Sequence, residues 1–97
     1  MAELTTIARP YAKAAFMFAK EQNALAEWEQ MLGLAAAVAQ EATMRAYLDQ
    51  PELDSETQAK AIGDVCGDEL NESARNFIAQ LADNKRLALL PTIAMLF

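Results

Sequence analysis

Ile7, Tyr11, Ala14 and Phe18 are the residues whose types and spacing carry chemistry in this chain, and the chemistry is recognition rather than catalysis. At about 100° per residue on a helix, these four form one stripe beside a second made of Ala8, Ala12, Ala15, Phe16 and Ala19. Together the stripes span about 200° of the cylinder, where a core-facing helix needs only about 100°. Arg9, Lys13, Met17 and Lys20 take the remaining side. A small domain can cover the second stripe with its own helices. The first needs shielding by a further element or a partner, and a partner helix is expected.

Nothing competes with that reading from the side of catalysis. Among 97 residues there is no histidine and one cysteine, Cys66. A histidine-based triad, a His or Cys metal cage and an intrachain disulfide are therefore excluded. The fourteen Asp and Glu residues show no convergent pair for acid and base work. No catalytic, cofactor-binding or metal-binding residue is assigned, and the chain is read as a non-enzyme. Cys66 is expected to be a buried apolar side chain.

The elements that must position the stripe are all helical. About a fifth of the residues are alanine, and no run alternates in the manner of a strand. The first helix is expected to start near Thr5 or Thr6 as N-cap, with Pro10 in or just after its opening turn, and to fade at Gln22-Asn23. A second, about Ala24 to Ala39, carries Leu25, Trp28, Leu32, Ala35, Ala36 and Ala39 at helical spacing. A short third around Ala42 to Leu48 offers Met44, Tyr47 and Leu48 and must stop before Pro51. Asp54 and Ser55 compete to cap a fourth that ends at Gly67, with Ala59, Ile62 and Cys66 inward. Asn71 caps a fifth whose inner stripe is Leu70, Ala74, Phe77, Ile78 and Leu81, with Asn84 as a left-handed stop and Asn76, Ala79, Gln80 and Asp83 on its other side. Pro91 falls in the first turn of a sixth, with Leu90, Ile93, Ala94 and Phe97 inward. The expectation is an all-α, six-helix bundle in a single domain. Phe16 and Trp28 are both assigned to its core.

Bulk properties narrow the partners. The net charge of −6 and pI near 4.5 disfavour nucleic acid, whose binding rests on Lys and Arg displacing counterions. The longest apolar run, Leu32 to Ala39, falls far short of the roughly 20 residues that cross a bilayer, so membrane insertion is not expected. Met-Ala-Glu-Leu lacks the pattern of a secretory signal, which points to a cytosolic location.

The segment Ala8-Arg9-Pro10-Tyr11-Ala12-x-Ala14-Ala15-Phe16 resembles the opening signature of the delta subunit of bacterial F-type ATP synthases, the counterpart of the mitochondrial oligomycin-sensitivity-conferring protein. Trp28, Pro51-x-Leu53, Val65-Cys66-Gly67, Asn76-Phe77, Ala82-Asp83-Asn84-Lys85-Arg86-Leu87 and Leu90-Pro91 extend the likeness over all 97 residues. The resemblance implies a six-helix N-terminal domain whose groove between the first and fifth helices receives the N-terminal amphipathic helix of one alpha subunit, at the crown of the catalytic head. It implies further that residues 1–97 correspond to that domain. The C-terminal domain that joins the b subunits of the peripheral stalk would be absent from this chain. The implied role is a stator adaptor that keeps the head from turning during proton-driven ATP synthesis, peripheral to the cytoplasmic face of the bacterial plasma membrane.

On that likeness the partner-binding residues are Ile7, Tyr11, Ala14 and Phe18 from the first helix and Asn76, Ala79 and Gln80 from the fifth. Taken alone, Tyr11 reads equally well as a core tyrosine with its hydroxyl at the rim. The fifth-helix trio reads alone as a solvated face. A different class of function also fits the wide apolar arc, a self-associating helical scaffold. A third reading lays Leu4 to Phe18 on a membrane surface, and the net negative charge argues against it.

Overall fold

A computed structural model describes residues 2–97, with side chains from Leu4 onward. Six α-helices are present among them: α1 (Ala2–Glu21), α2 (Leu25–Gln40), α3 (Ala42–Leu48), α4 (Ser55–Cys66), α5 (Glu72–Asp83) and α6 (Leu90–Leu96). Single 3-10 turns at Gly67–Glu69 and Leu87–Leu89 lead into α5 and α6, and the described residues contain no strand. Helix α2 is the hub, lying against α1, α3, α4 and α6; α4 pairs with α5, and α1 with α6. The thinnest dimension of the Cα trace is 20 Å, which is two helix layers at about 10 Å each. The six-helix bundle expected from the periodicity is the architecture found.

Local chemistry sets most of the boundaries. The Asp54 carboxylate accepts the Thr57 N–H at 2.8 Å and starts α4, while Gly67 at φ +61° ends it. Asp54 thus takes the cap from Ser55, whose hydroxyl instead donates to the Asp83 carboxylate on α5. The Asn71 side chain accepts from the Ala74 N–H at 2.9 Å and opens α5. Pro91 lies in the first turn of α6, where no N–H is wanted.

The centre of the core is Leu32, Ile62, Leu81, Leu90 and Ile93, drawn from α2, α4, α5 and α6. Full burial of each contributes about 1.5 to 3 kcal/mol. No polar or charged described residue is buried. Cys66 is buried, and loss of solvent pushes its thiol pKa up. The described residues of α1 that are fully buried in this core are all small, Ala8, Ala12, Ala15 and Ala19, and half-buried Tyr11 packs against it. Alanines let neighbouring backbones approach closely, which is how α1 seats against α6.

Several sequence expectations are corrected. Helix α1 begins at Ala2, so Thr5 and Thr6 lie inside it and Pro10 is in its interior. Docking of the alanine stripe outweighs the local capping preference. Phe16 is not a core residue: it is 38% exposed and packs edge-on against Phe97, with ring centroids 5.5 Å apart. Leu25 is exposed because it is the first residue of α2, beyond the overlap with its neighbours, while Met31, unassigned from periodicity, is buried. Tyr47 is exposed and α3 buries no residue fully; Met44 and Leu48 are its half-buried contacts. Asn84 has φ −86°, and Lys85, at φ +60°, is the left-handed residue. Trp28 is in the core as expected.

Candidate functional site

The alanine stripe of α1 is closed and the adjoining stripe is not. Ile7 is 37% exposed and Phe18 40%, Ala14 is exposed, and Tyr11 is half-buried. The element beside them is α5, yet the two helices do not close on one another backbone to backbone. Side chains span the gap at two places. At one end the Asn84 amide donates to the Tyr11 hydroxyl at 3.0 Å. At the other, the Phe18 ring meets Trp28 edge-on at 5.7 Å, and Trp28 meets Phe77 at 5.8 Å. Edge-to-face pairs at these separations are favourable beyond the area that they bury.

Seven residues forward along α1, from Tyr11 to Phe18, correspond to seven back along α5, from Asn84 to Phe77. The two bridges thus occur in opposite chain order on the two segments, about 10 Å apart along α1 at 1.5 Å per residue. Between the two bridges lie Ala14, with only a methyl group, and Gln80, exposed. The strip between them, called the trough below, has aromatic rings at one end, a tyrosine–asparagine hydrogen bond at the other, and Ala14 on its α1 side.

Of the sequence-assigned residues, Ile7, Tyr11, Ala14 and Phe18 share the trough flank of α1. Gln80 lies one turn from both Phe77 and Asn84, on the flank of α5 turned towards α1. Asn76 is exposed at its outer edge. Ala79 is placed elsewhere. It is half-buried between Arg75, whose guanidinium lies over Gly63 of α4, and Asp83, bonded to Ser55 of α4. It therefore belongs to the α4 seam. Sequence reasoning missed the part of Trp28, Phe77 and Asn84, assigning the first two to the core and the third to a helix stop.

The trough does not coincide with a broad hollow elsewhere on the surface. That hollow, of about 1100 Å³, is lined by Leu4, the α3–α4 loop, the end of α5 and the start of α6. Among the described residues no group of three or more His, Cys, Asp or Glu could hold a metal ion, and no helix is long and apolar enough to cross a membrane.

Residues 7–97 match the family model described as ATP synthase delta (OSCP) subunit. The chain belongs to this family. It is 73% identical over all 97 residues to the ATP synthase subunit delta of Alcanivorax borkumensis and 52% identical to that of Idiomarina loihiensis. It is covered in full in both comparisons and spans 54% of each relative, about half their length. Within this delta-family chain the segments 8–16 and 82–91 meet at the Tyr11–Asn84 hydrogen bond.

Proposed function

We propose that this chain acts as a stator adaptor of a rotary, F-type ATP synthase, taking the N-terminal amphipathic helix of an alpha subunit into the α1/α5 trough. The trough itself carries the reading: a strip of large, half-exposed apolar side chains, bridged at both ends and open between them, has the form of a helix seat. Ile7, Tyr11, Ala14 and Phe18 form one wall, Asn76, Phe77 and Gln80 the other, and Ala79 stands behind that second wall. No chemistry is done here. The contact resists the torque of the central stalk, so that rotation drives conformational change in the head instead of turning it. Covering the part of these apolar side chains that is still exposed contributes a fraction of the about 1.5 to 3 kcal/mol that full burial of each would give, and several such anchors together hold the contact.

Connection to the b subunits would run through a C-terminal domain outside this chain. The protein would be held at the cytoplasmic face of the bacterial plasma membrane by the complex rather than by insertion. No nucleic acid and no cofactor enter this mechanism.

Titration of the purified chain with a synthetic peptide of the alpha N-terminal helix tests the proposal. Binding is expected, and no binding at high micromolar peptide overturns it. Tyr11→Ala is expected to weaken binding about tenfold or more, while the melting temperature moves little, because Tyr11 is only half-buried. Equal damage to both would return Tyr11 to a structural role.

A further inference from the structure

Helix α1 has a third face, set apart from both the alanine seam and the trough. At about 100° per residue, Arg9, Lys13, Phe16 and Lys20 fall within about 60° of one another, roughly 160° around the helix from the stripe of Ile7, Tyr11, Ala14 and Phe18. All four are exposed, and Met17, 53% exposed, borders them. Phe16 is the apolar member of the row, resting edge-on against Phe97.

The row is cationic and has no counterion. No Asp or Glu occurs between Leu4 and Lys20, and residues 87–97, which include α6, carry no charged side chain. Among the described residues the ion pair present is Lys60–Asp64 on α4, so Arg9, Lys13 and Lys20 are all unpaired. Elsewhere the chain is strongly acidic, with fourteen Asp and Glu against eight Lys and Arg in the whole sequence. Lys20 is in the last turn of α1, where the helix dipole favours a cation. Arg9 and Lys13, in mid-helix, have no such local account.

Spacing and charge specify the occupant. The cations step along the axis by four and seven residues, about 6 Å and 10 Å, with Phe16 set between Lys13 and Lys20. A helix lying alongside would meet them with carboxylates at the same steps and an apolar residue between the second acid and the third. Lipid suits the face less well. Three cations fall short of the roughly four to eight that mark binding to anionic lipid, and a net charge of −6 is repelled by such a surface.

We propose that this face of α1 docks an acidic, amphipathic helix of another subunit of the ATP synthase. The inference rests on family membership and charge complementarity, and is independent of the trough reading. Each exposed pair is weak alone, so the contact depends on the whole row and weakens as salt screens it.

The experiment rebinds the chain to detergent-solubilised ATP synthase from which the delta subunit has been removed. Carbodiimide, which joins a lysine amine directly to a carboxylate, is expected to link Lys13 and Lys20 to acids about seven residues apart in one segment of another subunit. Links confined to the chain itself, or none, overturn the proposal, and this readout needs no variant to fold. The triple substitution Arg9→Gln, Lys13→Gln and Lys20→Gln, at exposed positions throughout, is expected to weaken rebinding about tenfold at low ionic strength, with the difference shrinking as salt is raised. Equal rebinding at every salt concentration also overturns it. The unaltered chain is expected not to float with phosphatidylglycerol vesicles; flotation that the triple substitution abolishes would assign the face to lipid instead. A synthetic peptide of the alpha N-terminal helix should bind the triple variant within about twofold of the unaltered chain. Its failure to bind either one removes the trough reading and leaves this one standing, whereas its loss from the variant alone would merge the face with the trough and overturn the proposal.

Discussion

The two flanks of α1 differ in closure although both are apolar. Towards α6 the flank is Ala8, Ala12, Ala15 and Ala19, all buried; towards α5 it is Ile7, Tyr11, Ala14 and Phe18, largely exposed. Small side chains let helices close and leave nothing for a visitor. Large ones hold the neighbour away, and their own faces stay available between the points where they bridge. Side-chain size, more than hydrophobicity, separates a core seam from a docking trough here.

Trp28 tests that distinction most severely because it serves both sides. It is buried among core residues while its ring edges meet Phe18 and Phe77 at the trough floor. Trp28→Ala should cost about 3 to 5 kcal/mol in chemical denaturation and also abolish partner binding. Full binding in a variant that still folds would detach the trough from the core.

A matched pair of substitutions sharpens the comparison. Ala12→Leu places three extra carbons in a closed seam and should destabilise by about 1 to 3 kcal/mol, lowering the melting temperature. Ala14→Leu, two residues on, adds the same atoms to an exposed position and should leave the melting temperature nearly unchanged. It should nonetheless weaken partner binding by adding bulk between Tyr11 and Phe18. If both variants lose stability alike, the trough flank is core and the distinction between the flanks fails.

How much of this was legible in the sequence follows from what each signal encodes. Asn71 and Gly67 mark helix ends through their own hydrogen bonds and dihedral angles, so those boundaries could be read directly. The two stripes of α1 were legible because angle around a helix depends on spacing alone. Which neighbour covers a given angle does not. Ala79 shares a polar-looking face with Asn76 and Gln80 in sequence, yet the position of α4 moves it to another seam. Phe16 was misassigned for the same reason, since its angle was right for the bundle's edge rather than its interior. Asn84 looked like a left-handed stop by residue type, but its side chain is engaged by Tyr11 and the strained conformation passes to Lys85. The start of α1 was missed because tertiary packing of Ala8 and the alanines that follow it outweighs the capping preference of two threonines.

Acid should act on neither flank of α1 first, and this gives the smallest effect expected. Hydrogen bonds from the backbone N–H groups of Met44 and Thr43 hold the Glu41 carboxyl below its ordinary 4.5, and those from Thr57, hydroxyl first and N–H second, hold Asp54 below 3.8. With the folded values depressed, the unfolded chain takes up these protons more readily. The caps of α3 and α4 therefore stabilise fully above those ordinary values and lose their contribution as pH falls through the folded ones. Glu41→Gln with Asp54→Asn keeps an acceptor oxygen at each cap and removes the titration. Melting temperatures measured from about pH 7 down to about pH 3 should fall less steeply in the double variant than in the unaltered chain, with partner affinity at neutral pH the same in both. An equally steep fall would place the acid response elsewhere. Altered affinity at neutral pH would mean that the α3–α4 side shapes the trough, and the two flanks of α1 would no longer be separable from the rest of the bundle.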